Sequence, residues 1–267
     1  MQSTITTPHS ANDKISCLCV GVRKDFTASV DLGYLPDPDQ EQGRKFHLSC
    51  ASKTDSSIVT IMPLKSLFLV QPVPPHQPPP HLALSAKQRY GLAAALAWAI
   101  LHFSCTPWLD DTWDGEQVNV FLESTAAGRE HLSRNPCISY LFETHATLST
   151  LTPADHFNSN QIRNKTLFAL GILLTELCIN KSFEEFRRQS PTGSTATTIP
   201  DDFKIAESKI DEVYSRAGNS YGYAVQRCLR CEFLGPDSTK NFKYPTFKRH
   251  FYNNVVAPVQ ATYIKHP

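Results

Sequence analysis

The segment Leu167–Ile179 reads LFALGILLTELCI and is apolar nearly all the way round. A helix with apolar residues on every side has no face to give to solvent, so it belongs at the centre of a domain with other elements packed against it. The run is shorter than the roughly 20 residues needed to span a bilayer. Within it, Glu176 has little route to water and is expected to be buried or half-buried; an unpaired buried charge is costly, so an arginine or a backbone amide from another segment is expected to pair with it. Gly171 costs about 1 kcal/mol against alanine in a helix interior. That loss is expected to be repaid by a close packing contact.

Such a centre needs enough chain around it. The 267 residues, 41% hydrophobic and 19% charged, suffice for one large domain or two unequal lobes. The formal net charge of +1 excludes a nucleic-acid binder that works by bulk electrostatics. The opening residues MQSTITTPHSANDK hold no apolar core, so no secretory signal is expected and the chain reads as cytosolic or nuclear. In that compartment the eight cysteines read as free, mostly buried thiols.

Residues 1–13 read as a mobile tail. Strands are expected at Ile15–Val22, Lys45–Cys50 and Ile58–Met62, and the intervening DLGYLPDPDQEQG reads as turn chemistry. The segment QPVPPHQPPPH, residues 71–81, is too proline-dense for helix or sheet. It reads as a stiff spacer, with contact to an SH3 or WW domain as the alternative. Beyond it the pattern turns helical. Ser85 and Gln88 form a capping box ahead of Tyr90, Ala93, Ala94, Ala97, Ile100 and Leu101 at helical spacing, and this helix is expected to stop before Pro107. Further helices are expected at about 166–180, at Phe203–Ala217 with Gly218 as its stop, at Tyr221–Phe233, and from Phe247 to about Val256. Residues 189–200 read as a flexible loop.

Three blocks carry a family resemblance. LSAKQRYGLAAALAWAILHFSCTPWL contains Arg89, Thr106, Pro107, Trp108 and Leu109. RNKTLFALGILLTEL contains Arg163, Asn164, Gly171 and Glu176. AGNSYGYAVQRCLRCEF is followed by FYNNVVAPV. In this order they resemble an uncharacterised, kinase-related C-terminal domain of filamentous fungi, over about Ile58 to Val259. That domain is often joined to N-terminal helical regions resembling prion-inhibition and cell-death proteins. The resemblance implies an α+β, degenerate protein-kinase-like fold, mainly the helical lobe. In it a small β-rich lobe and hinge-like segment span 14–70, a proline-rich linker 71–84 and the helical lobe 85–267. Kinases carry a central helix reading like D-x-W-S-x-G-x-x-L-x-E-L. Here Gly171, Leu174, Glu176 and Leu177 match, and the leading aspartate falls on Thr166.

Phosphoryl transfer needs a phosphate cradle, a lysine, metal-holding groups and a base. The sequence holds no G-x-G-x-x-G, no V-A-I-K, no H-R-D and no D-F-G. Asp114 and Asn119 keep the catalytic-loop spacing D-x-x-x-x-N, and are the weak catalytic candidates. With these motifs missing, the resemblance implies a non-catalytic, kinase-like interaction or regulatory module in fungal signalling or heterokaryon incompatibility. It would bind protein partners, with no cofactor and no metal. The alternatives are an active atypical kinase using Asp114 and Asn119, and a structural fragment of a longer multidomain protein.

Other constellations are weaker. CLRC, Cys228–Cys231, supplies two of the four ligands zinc needs. His102 is expected to be partly buried, and Trp108 and Trp113 to anchor a loop to the core. Lys240, Lys243, Lys248 and Arg249 read as a solvated basic face. Ser190 in RRQSP is a candidate phosphorylation acceptor.

Overall fold

In a computed structural model, the described residues are 14, 30–36, 45–50, 56–68, 83–105, 109, 113, 117–125, 127–138, 161–189 and 201–265. They form a mixed helix and sheet architecture, consistent with α+β. The tail 1–13, the Ile15–Val22 strand, the proline-rich 71–81 and the 190–200 part of the loop lie outside the described residues. The chain divides into two compact units, one of residues 1–57 with 124–129 and one of 58–123 with 130–267.

In the first unit, β1 (Val30–Pro36) pairs antiparallel with β2 (Lys45–Cys50), in register from Val30 opposite Cys50 to Pro36 opposite Lys45. The second of these strands follows the sequence reading. The first corrects it, because Asp31–Pro36 had read as turn. The register shifts between Asp31 and Gly33, and Gly33 sits at φ 106°. A bulge of this kind breaks the period-2 pattern by which a strand is recognised.

The second unit has a three-stranded sheet in the order β3 (Ser56–Pro63), β4 (Val118–Thr125), β5 (Glu130–Ile138). The β4–β5 hairpin lies within residues 85–267, which the resemblance assigns to a helical lobe. Val118, Val120 and Leu122 are buried, an alternation too short to stand out between polar neighbours.

The helices follow their local signals. α1 (Ala86–Phe103) starts at the Ser85–Gln88 capping box, with both reciprocal hydrogen bonds made, and stops short of Pro107. α2 (Lys165–Ile179) is capped by the Asn164 side chain, which accepts from the Leu167 amide at 2.9 Å. Every residue from Thr166 to Ile179 is buried. α3 (Phe183–Gln189) and α4 (Asp202–Glu207) are joined by the Arg187 guanidinium, whose Nε and Nη2 donate to the two Asp202 carboxylate oxygens at 2.7 and 2.8 Å.

The helix expected over Phe203–Ala217 is broken in two. Ser208 turns its hydroxyl back onto the Ile205 carbonyl at 2.7 Å, a local bond that competes with helix continuation. α5 (Ile210–Arg230) then runs through a kink at Gly218, at φ 80°. The expected stop at Gly218 stands: its backbone leaves the helical region, at φ 80° and ψ 176°, and two helices meet there across the kink. After α6 (Pro245–Phe251), residues Tyr252–Val256 widen into a π turn, and α7 (Ala257–Lys265) follows. The sequence reading ends near Val256. Pro258 lacks an N–H and its ring crowds the preceding turn. The wider turn ahead of it lets the helix pass.

α2 is the hub. Its most extensive packing is on α5, and α1 also packs on it. A Cβ on Gly171 would meet the Leu229 side chain at 2.7 Å and the Leu229 amide nitrogen at 3.2 Å. The close contact expected from Gly171 is this approach of α5.

Candidate functional site

Two features of the second unit are chemically distinctive: a polar network around the C-terminal end of α2, and a groove along the first half of α1. The network holds Arg89 and Glu176, two of the described residues that the resemblance singles out.

A helix C-terminus leaves carbonyl groups without intrahelical partners and carries a partial negative charge. Arg89 on α1 answers both, donating from Nη1 to the carbonyls of Leu177 at 3.0 Å and Cys178 at 3.2 Å. Burial pulls its guanidinium down from the ordinary arginine value. Next to it the Tyr90 hydroxyl lies 3.8 Å from Cys178 Sγ. The Tyr90 ring meets that of Tyr221 edge-on, with centroids 5.4 Å apart. Tyr221 is fully buried and donates to the Leu174 carbonyl at 2.8 Å. Burial raises the pKa of both tyrosines, and pushes the Cys178 thiol up to about 11. A thiol so shifted stays protonated and inert at neutral pH.

Glu176 has no exposed surface and accepts the Phe183 amide at 2.7 Å. It caps the start of α3 from inside the core, so the partner is the backbone amide that the sequence left open beside an arginine. Arg163 is exposed ahead of α2. Leu109 is buried and forms an isolated parallel bridge with Ser104. Thr106, Pro107 and Trp108 lie outside the described residues, as does Ser190.

The two catalytic candidates part here. Asp114 lies outside the described residues. Asn119 is buried within β4, and its side-chain amide donates to the Gln117 carbonyl at 2.8 Å. Trp113 nearby is buried. His102 is exposed rather than partly buried: near the end of α1 it stacks flat on Trp98, at 5.3 Å between centroids and 8° between planes. Cys228 and Cys231 are both buried free thiols, and burial raises the pKa of each. Among the described residues no group of three or more His, Cys, Asp or Glu is placed to hold a metal ion. No helix among them is long and apolar enough to cross a membrane. Of the basic group, Lys240 pairs with Asp237 at 2.7 Å, while Lys243 and Arg249 are exposed.

The groove was not legible in sequence. It encloses about 500 Å³ between α1, Ser133 of β5 and Tyr263 of α7. Gly91, Leu92 and Ala95 supply its apolar lining, and Lys87 its only described charge. Helical spacing places Lys87, Gly91 and Ala95 on one face of α1. The nearest signal in the sequence is the glycine among alanines. A Cβ at Gly91 would stand 3.2 Å from the Tyr263 ring.

Fold and network together define a mixed helix and sheet domain hung on one buried helix, its distinctive polar residues turned inward. The chain belongs to the family described as Domain of unknown function (DUF7580), whose sequence model matches residues 4–263. The match begins well before Ile58, so the β-rich N-terminal stretch is part of the family pattern too. No curated protein and no solved structure matches the chain.

Proposed function

We propose that this chain is a non-catalytic, protein-kinase-like interaction or regulatory module of fungal signalling or incompatibility. One observation carries the reading: three of the polar hallmark side chains are spent on backbone groups of neighbouring turns. Arg89 holds the carbonyls that end α2, Asn164 caps its start, and Glu176 caps α3. Side chains committed in this way lock helices together and have little left for a substrate. The kinase-like part of the reading is supported by the buried helix with Gly171, Leu174, Glu176 and Leu177 in the kinase spacing, downstream of a D-x-x-x-x-N segment. Asn119, bonded to the Gln117 carbonyl within β4, is also a poor magnesium ligand by chemistry, since magnesium is held mainly through carboxylates and phosphates. Kinases hold the triphosphate by a glycine-rich loop, a lysine and magnesium ions, and the sequence has no such loop or lysine motif.

The test is calorimetric titration with magnesium and ATP, beside an Asp114→Asn variant. The reading expects no saturable heat in the physiological millimolar range. Saturable, magnesium-dependent binding that the variant abolishes would overturn it in favour of an atypical kinase using Asp114 and Asn119.

A further inference from the structure

We propose that the groove along α1 is a docking site for a short acidic–apolar peptide segment of a partner protein, a proposal that rests on the interaction-module reading above. Three observations point the same way. First, the lining is shallow: Ser85 and Lys87 are exposed, Gln88, Gly91, Ala95 and Tyr263 are half-buried, and Leu92 alone among the described lining residues is buried. Small-molecule sites bury most of their ligand's surface in a deep, enclosed pocket. A groove of about 500 Å³ with half-open sides suits an extended segment that lays a few side chains in and leaves the rest in water.

Second, the lining is amphipathic in an ordered way. The Tyr263 ring covers Gly91 closely, and next to it Ala95 carries only a methyl, so an incoming aliphatic or aromatic group can lie against Ala95, Leu92 and the ring. Ser85 and Ser133 line the groove's polar side. Third, the charge among the described lining residues is one-sided. Lys87 stands one turn ahead of Gly91, is exposed, and is the only charged residue described in the lining. Charge complementarity selects an aspartate or glutamate next to the apolar anchor and disfavours a basic segment.

The probe is a random peptide library displayed on phage and selected against the intact chain, with the leading sequence then synthesised and titrated by fluorescence anisotropy. Enriched peptides are expected to share an acidic residue beside aliphatic or aromatic ones. Lys87→Glu, on an exposed side chain that folding does not need, is expected to weaken the synthetic peptide by about tenfold or more. Ala95→Trp, which fills the groove, is expected to abolish binding, and Lys243→Glu, an exposed charge change on another element, to leave it unchanged. The proposal is overturned if selection yields no acidic–apolar consensus, or if the peptide binds Lys87→Glu and Ala95→Trp as well as the parent. Nucleotide calorimetry decides the non-catalytic reading separately. Peptide binding lost in Lys87→Glu would uphold the groove even in a chain that bound ATP.

Discussion

α1 and α2 are both apolar helices rich in alanine or leucine, yet the molecule uses them differently. α2 is buried along all but its first residue, from Thr166 to Ile179. α1 buries Tyr90, Leu92, Ala93, Ala94, Leu96, Ala97 and Ile100 but leaves Lys87, His102 and Phe103 exposed. α2 therefore has no surface with which to meet a partner. Whatever it contributes, it contributes through stability. α1 has a committed face, where Arg89 and Tyr90 reach the end of α2, and an open face, where the groove lies. Residues that the resemblance singles out on the committed face need not mark an activity.

Substitutions should separate the two helices sharply. The largest effect is expected for Phe168→Ala in α2, where the ring has no exposed surface; loss of a buried phenylalanine costs about 3–5 kcal/mol. Urea denaturation followed by circular dichroism would read it. A loss below about 1 kcal/mol would mean that α2 is not the packed centre.

Glu176→Ala comes next. It strips the Phe183 amide of its carboxylate acceptor inside the core, and a hydrogen bond to a charged group contributes about 1.5–3 kcal/mol. Glu176→Gln keeps an acceptor and should recover part of that loss in the same measurement. If alanine and glutamine variants unfold at the same urea concentration as the parent, the internal cap is not holding α3.

Alkali should loosen the same network. The Cys178 thiol is shifted from 9.0 up to about 11, chiefly by burial. Below pH 9 both folded and unfolded states keep the proton, and the stabilisation is whole. Between pH 9 and 11 the unfolded state releases it first, so stability falls as pH rises, by roughly 2–3 kcal/mol for this group. The buried Tyr90 and Tyr221 hydroxyls are shifted in the same direction and extend the fall to higher pH. Cys178→Ala should flatten the pH 9–11 limb of the unfolding curve; an unchanged slope would place the titration elsewhere.

The smallest effect belongs to the open face. Lys87→Ala is expected to change unfolding free energy by less than about 0.5 kcal/mol, the usual range for an exposed site. A larger loss would give Lys87 a structural role and weaken the contrast between the two helices.

How much of this was readable in advance depends on how local each signal is. The capping box at Ser85, the buried run 167–179 and the need for a close contact at Gly171 are local patterns with a direct physical reading. All three stand in the structure. The misses are places where a single residue resets the local rule. Gly33 shifts the register of β1, Ser208 breaks one helix into two, and the π turn before Pro258 carries a helix past a residue that normally stops one. The network at the end of α2 was half legible. Glu176 declared that it needed a partner, but the partner is an amide seven residues on, and nothing in a sequence says which amide. Arg89 was singled out by resemblance alone, and its bond to carbonyls 88 and 89 positions away exists only in the packed helices. The groove joins α1, β5 and α7, and no pattern within one element could have announced it.

Native-state amide hydrogen exchange, resolved by residue, tests most directly the claim that α2 is the structural centre while the α1 groove face is free for recognition. Core amides that open only with the whole domain exchange at the global unfolding free energy, whereas frayed or open segments exchange sooner. The account predicts that amides from Phe168 to Leu177 exchange only through global unfolding. It also predicts that those of Lys87 to Gly91 exchange through smaller openings, and that Arg89→Met lowers protection at the C-terminal end of α2 before its middle. Exchange of the α2 core by a sub-global route, faster than the first turns of α1, would contradict it.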